Sequence, residues 1–223
     1  SLVEIVDTFS GFQQPGRPIP AEITEITGIT DAMVAGQSIA PKAVKAFAAD
    51  ASLIVAHNAG FDRRMVERIW PCFTDKDWGC SASQVNWRSE GLTGSKLGYV
   101  LTDLGYFHDA HRAVDDCHAT LHVLTAALPR TGTTALRQIL HAASQSTVRI
   151  WAVGSPFEQK DVLKARGYRW SDGSGGGRKA WWTEVPMASR DAELTYLHTK
   201  IYGYAADIPT RNITSRERFS DRI

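Results

Sequence analysis

His111 and Asp116 stand five positions apart in the run His111-Arg112-Ala113-Val114-Asp115-Asp116-Cys117-His118-Ala119-Thr120. A histidine at that distance ahead of an aspartate, where a helix should begin, can set a general base beside a metal-binding carboxylate. A second carboxylate, Asp62, closes the segment Ala56-His57-Asn58-Ala59-Gly60-Phe61-Asp62, which follows the apolar run Leu53-Ile54-Val55-Ala56. Two carboxylates delivered by different elements can converge on hard divalent cations, which prefer oxygen ligands. Taken singly, each residue has a plainer role. Asp62 reads equally well as a helix-capping carboxylate, and an isolated histidine is more often a surface or capping residue than a base. The chemistry lies in the combination.

The elements that must position these residues follow from periodicity. Leu53 to Ala56 is an uninterrupted apolar run, as expected of a central parallel strand covered on both faces. Phe61, Met65 and Ile69 recur at i, i+4 and i+8, so a helix follows Asp62 and ends before Pro71. Asp62 therefore sits where a strand hands over to a helix, the place at which α/β sheets display functional groups. Trp78 to Ala82 reads as a further strand. Leu97, Val100, Leu101 and Leu104 define a helix that stops near Gly105. Ala113, Cys117, Leu121, Leu124 and Leu128 predict the buried stripe of the helix that carries Asp116, with Pro129 ending it. Upstream, residues 1–9 read as a strand and Gly11 to Pro20 as a loop. Thr30-Asp31 could cap a short helix, and a helix is expected within Pro41 to Asp50. Strands interleaved with helices of this length place the chain in the α/β class.

Composition narrows the setting. The 223 residues suffice for one ordinary domain and a small second one. With 43% hydrophobic and 22% charged residues the chain reads as soluble and globular. No apolar run approaches the roughly 20 residues that span a bilayer, and no signal peptide is legible, so the expected setting is cytoplasmic with no membrane partner. Cys72, Cys80 and Cys117 are odd in number and lack Cys-x-x-Cys spacing, which favours reduced thiols over disulfides or zinc. A net charge of +1 gives no global footprint for nucleic acid, so any such contact must be local.

The segments around Asp62 and Asp116 resemble the second and third motifs of the DEDDh-type 3′→5′ exonucleases, a family that includes the proofreading subunit of bacterial DNA polymerase III and RNase T. The resemblance covers about two-thirds of the chain and rests on two ordered motifs. It implies an RNase H-like domain, a mixed sheet flanked by helices, over residues 1–145. It further implies a metal-dependent exonuclease that releases nucleoside 5′-monophosphates from DNA or RNA, using two Mg²⁺ or Mn²⁺ ions in the complete enzyme. Asp62 and Asp116 become metal ligands and His111 the catalytic base, while His57, Asn58 and Phe61 line the pocket for the terminal nucleotide, with core packing as the other reading of Phe61. Asp115, one position short of the family spacing, reads as a solvated side chain, and His118 as structural. Single-stranded 3′ ends are the expected partners, with room for a polymerase or another protein.

Such enzymes open with Asp-x-Glu on their first strand, and this chain begins Ser1-Leu2-Val3-Glu4-Ile5-Val6-Asp7 without it. The segment from Phe9 to Ile29 looks like what the family places after its third strand. The expectation is a domain lacking its first strand or two and impaired as it stands. The competing expectation is a catalytically inactive nucleic-acid-binding or scaffolding relative.

Residues 146–223 read as a separate βαββα module. Strands are expected at Val148–Val153, Tyr168–Trp170 and Ala180–Val185, helices at Pro156–Arg166 and Ser189–Tyr202, the last capped by Ser189. Lys160, Lys164, Arg166, Arg169 and Lys179 mingle with Trp151, Trp170, Trp181 and Trp182. That mixture can form a single-strand platform or can simply use tryptophan as core. Alternation puts Trp181 and Trp182 on opposite faces.

Overall fold

The computed structural model describes residues 3–106, 113–174 and 177–223. The chain divides into two compact units, Ser1–Leu140 and His141–Ile223, each of mixed α/β construction.

The first unit begins without regular structure. Residues 3–9 are exposed and form no strand, contrary to the sequence expectation. Apolar, β-branched residues favour a pleated, half-buried surface, and among the described residues no strand pairs with this segment. Three short helices follow: α1 (Ala21–Thr27), α2 (Asp31–Val34) and α3 (Pro41–Phe47). Gly28, at φ 68°, ends α1 and donates its N–H to the Thr24 carbonyl. The Thr30 side chain accepts from the Met33 N–H and so caps α2, as its sequence suggested.

The centre of the unit is a parallel pair, β1 (Leu53–Ala56) and β2 (Asp77–Cys80), in the register Leu53↔Asp77 to Ala56↔Cys80. Between them runs α4 (Ala59–Ile69), and after them α5 (Leu97–Asp103), α6 (Ala113–Thr125) and α7 (Ala135–Ser144). Val100 and Leu101 of α5, Val123 and Leu124 of α6 and Ile139 of α7 share one core with Trp87. A Cβ on Gly79 would stand 2.5 Å from Ile139 Cγ2, so the absence of a side chain lets α7 reach the sheet. Buried Glu90 ties down the loop ahead of α7, accepting from the backbone N–H groups of Arg130 and Thr131 and from the Thr131 hydroxyl. Burial pushes its carboxyl up, but those donors outweigh it and hold the group below its ordinary range.

Two helices turn differently from the periodic reading. On α4 the expected stripe is exposed: Phe61 at 65%, Met65 at 46% and Ile69 at 50%. The buried face instead carries Ala59 and Arg63. Arg63 lies over the Trp78 ring at 5.4 Å and donates to Glu67 Oε1 at 2.7 Å, so a long apolar stem and a paired head do the work of a core residue. On α6, Ala113 and Cys117 are exposed, and the buried positions are Ala119, Thr120, Val123 and Leu124. That rotation leaves Asp116 half-buried at the head of the buried face and Asp115 in solvent.

The second unit holds a four-stranded antiparallel sheet, ordered β4 (Arg169–Ser171), β5 (Ala180–Pro186), β3 (Thr147–Ala152) and β6 (Thr210–Ile213). The edge strand β6 was not anticipated, because Thr210-Arg211-Asn212-Ile213 has no apolar alternation of its own. Helices α8 (Lys160–Ala165) and α9 (Arg190–Tyr196) belong to this unit, and α9 continues into a π-helical turn, Leu197–Tyr202. Ser189 makes no side-chain cap, against expectation, since a short 3₁₀ turn precedes α9. Val148, Ile150 and Ala152 point to the helices and pack with Leu163, Leu197 and Ile201. Glu193 binds Arg166 bidentately and accepts from the Tyr168 hydroxyl at 2.8 Å, joining α8, the start of β4 and α9. Burial and that carboxylate push the Tyr168 phenol far above its ordinary range.

Candidate active site

Where β1 ends, the chain must reverse into α4 within two residues. Asn58 makes the turn at φ 75°, ψ 47°, a left-handed conformation that asparagine tolerates better than most residues. Ala59 is then fully buried, and its N–H donates to Cys80 Sγ at the end of β2. The turn delivers Asp62 to the first turn of α4, half-buried.

The parallel register that pairs Ala56 with Cys80 continues one step further through side chains. His57 Nδ1 shares a hydrogen bond of 2.9 Å with Ser81 Oγ, and the Ser81 N–H donates to the Ala56 carbonyl. Burial lowers the imidazole pKa, against smaller upward pulls from the Ser95 backbone and the Asp116 charge. At neutral pH the ring is therefore neutral, held by Ser81 and within the field of Asp116. Ser81 escaped sequence analysis, although its position one residue past β2 mirrors that of His57 past β1.

Burial likewise raises the Asp62 pKa, with its own backbone opposing. Removing a carboxylate from water without a counter-ion disfavours its charged form, and a bound cation would reverse that preference. Cys117, on α6, lies in the field of both carboxylates. Its pKa is raised first by burial, then by the charge of Asp116 and then by that of Asp62. One residue of α6 thus feels both the aspartate beside it and the one on α4. Asp62 on α4, Asp116 on α6 and His57 just after β1 come from three separate elements. His111 lies outside the described residues, and among those residues no cluster of three or more potential metal ligands occurs.

Beside Asp62, the exposed face of α4 forms one wall of an open groove of about 510 Å³, lined by Asn58, Gly60, Phe61, Arg64, Met65 and Arg68. Phe61 opens onto this groove and takes no part in the core, so the core-packing expectation for it fails.

Residues 1–124 match the family described as exonuclease, whose namesake is RNase T. The chain belongs to the RNase T exonuclease family. Its relatives include the PolC-type DNA polymerase III of Clostridium perfringens, 35% identical over 132 residues, 54% of this chain and 9% of that protein. The PolC-type polymerase of Thermotoga maritima is 34% identical over 133 residues, again 54% of this chain and 9% of the relative. A Mycobacterium tuberculosis protein bearing the name bifunctional exonuclease/endonuclease is 32% identical over 142 residues, 57% of this chain and 21% of its own length. The exonuclease match thus spans a small part of each relative and leaves the second unit largely outside it. No solved structure matches the chain. No helix among the described residues is long and apolar enough to cross a membrane.

Proposed function

We propose that the first unit is a metal-dependent 3′→5′ exonuclease that releases nucleoside 5′-monophosphates, with Asp62 and Asp116 as metal ligands and His111 as general base. The observation that carries this reading is the match of residues 1–124 to the RNase T exonuclease family, with Asp62 half-buried in the first turn of α4 and Asp116 half-buried on α6. Two half-buried carboxylates from different helices suit a hard divalent cation, Mg²⁺ or Mn²⁺, and Asp62 favours a counter-ion because of its desolvation. When bound, such ions polarise the scissile phosphate and lower the pKa of water.

The protein's own residues have separate tasks. His111, neutral near pH 7, accepts the proton of the attacking water. His57, fixed by Ser81, stiffens the loop that leaves β1, and Asn58 and Phe61 offer polar and apolar surface for the terminal nucleotide. The polymerase names of the relatives suggest a polymerase partner. A catalytically inactive nucleic-acid-binding relative is the second reading, favoured by the absence of a three-ligand cluster among the described residues.

An oligonucleotide labelled at its 5′ end, incubated with the chain and Mg²⁺, separates these readings. Stepwise shortening from the 3′ end with 5′-mononucleotide products supports the exonuclease. Digestion is expected to be slow, since two carboxylates supply only part of a two-metal set. Shortening from the other end, internal cleavage, or equal activity after Asp116→Ala would reject it.

A further inference from the structure

The second unit's sheet has two faces, and its helices pack on one of them. Register assigns them. Val148, Ile150 and Ala152 of β3 face the helices, and their cross-strand partners Val185, Thr183 and Trp181 lie on that same side. The intervening residues must emerge on the other face. There Trp151 stands directly opposite Trp182, and Trp182 opposite Arg169 of β4. Both tryptophans are partly exposed.

Guanidinium groups surround the pair. Arg149 Cζ lies 4.3 Å from the Trp182 ring centre, Arg169 Cζ lies 5.6 Å from the same ring, and Arg178 Cζ lies 5.7 Å from that of Trp151. Glu184, on this face, is engaged by Arg149 at 3.3 Å, by Arg218 of the C-terminal segment at 3.8 Å and by the Thr147 hydroxyl. The Nε of Arg149 is buried with no hydrogen-bond partner. Arg169 and Arg178 are exposed. Of the module's other basic residues, Arg166 is committed to Glu193, Lys164 sits on α8, and Arg211, opposite Arg149 on this face, pairs with Glu217.

We propose that this face binds single-stranded nucleic acid, with Trp151 and Trp182 stacking on bases and Arg169 and Arg178 contacting phosphate. The observation behind it is a cross-strand tryptophan pair, partly exposed and set among three arginines, at the end of this face away from Ile213 and Arg218. Every base has a π-face, so stacking on two adjacent indoles needs no sequence code, and the flanking guanidiniums supply the charge that the chain lacks globally at +1. A duplex buries its base faces and could use only the arginines. The inference rests on the second unit alone and does not depend on the catalytic reading of the first.

The test is equilibrium binding of a fluorescein-labelled oligothymidylate to the full chain in EDTA, at low and moderate salt, with tryptophan emission followed in parallel. Without metal, hydrolysis plays no part, so a failure here is separable from a failure of the nuclease. Binding should quench tryptophan emission. Trp151→Leu and Trp182→Leu should each weaken affinity by about 5- to 100-fold, the range for loss of one stacked base. Arg169→Glu and Arg178→Glu should weaken it severalfold and flatten the salt dependence. Lys164→Glu, on α8, should leave it unchanged. If a tryptophan variant loses its thermal transition, the exposed arginine variants decide. Unquenched emission, wild-type affinity in both arginine variants, an equal loss with Lys164→Glu, or equal affinity for duplex would each overturn the proposal. Duplex binding or a protein ligand would then become the reading of this face.

Discussion

The two sheets of this protein solve different problems. In the first unit β1 is apolar throughout and every one of its residues is half-buried, while β2 has three of its four residues buried. In the second, β3 alternates half-buried and fully buried residues along its whole length. A parallel strand is a plain rod whose candidate functional residues hang at its ends: His57 and Asp62 follow β1, and Ser81 follows β2. An antiparallel strand in contact with helices on one side offers its other side along its whole length, as Arg149 and Trp151 do between Val148, Ile150 and Ala152. The lesson is that a continuous apolar run directs attention to what comes after it, whereas an alternating run directs attention to its polar half.

That comparison can be broken most decisively at the ends of the first sheet. Asp62→Ala and Asp116→Ala should each reduce Mg²⁺-dependent hydrolysis to background, because each deletes a charged ligand and little core volume. Asp115→Ala, which alters an exposed side chain, should retain most activity. Release of the 3′-terminal nucleotide under single-turnover conditions measures all three. Reversed behaviour of Asp115 and Asp116 would move the site round the helix.

His111→Ala should lower turnover by about 10²–10⁴-fold, the usual contribution of a general base, with Mg²⁺ affinity little changed. Activity of the unsubstituted chain should fall as pH drops through the imidazole range, as the base takes up its proton. Near-normal turnover with weakened metal binding would make His111 a ligand.

The same substitution in both sheets sharpens the contrast in packing. Ile150→Ala empties a fully buried site and should cost about 2–5 kcal/mol in denaturant unfolding. Ile54→Ala, at a half-buried position of β1, should cost clearly less. Equal losses would show that β1 is as enclosed as β3.

The smallest effect concerns Asp62 itself. Its folded-state pKa lies above the unfolded value, so the unligated fold is favoured below the unfolded pKa and loses that advantage as pH rises through the folded one. In EDTA at pH 8, Asp62→Asn should therefore be slightly more stable than the parent, by well under about 1 kcal/mol. The difference should shrink as pH falls through the raised carboxyl pKa. A Tm series across pH checks it, and a less stable variant would mean that the carboxylate has a structural partner.

Sequence by itself determined the α/β class, most of the helices and the strands around the site, because apolar periodicity and the punctuation at Thr30, Pro71 and Gly105 act locally. It also singled out Asp62, through its place after the apolar strand, and Asp116, through its spacing from His111. Which way each helix turns was beyond it. The stripe of Phe61, Met65 and Ile69 has helical period yet faces outward, since Arg63 can bury its stem on Trp78 once Glu67 answers its charge. No local pattern foretells that pairing. The same holds for Ser81 beside His57, for the influence of Asp62 on Cys117, and for Trp151 facing Trp182 between arginines. Each joins residues distant in sequence, and only the register between strands and the packing between helices, set by the whole buried surface at once, could bring them together.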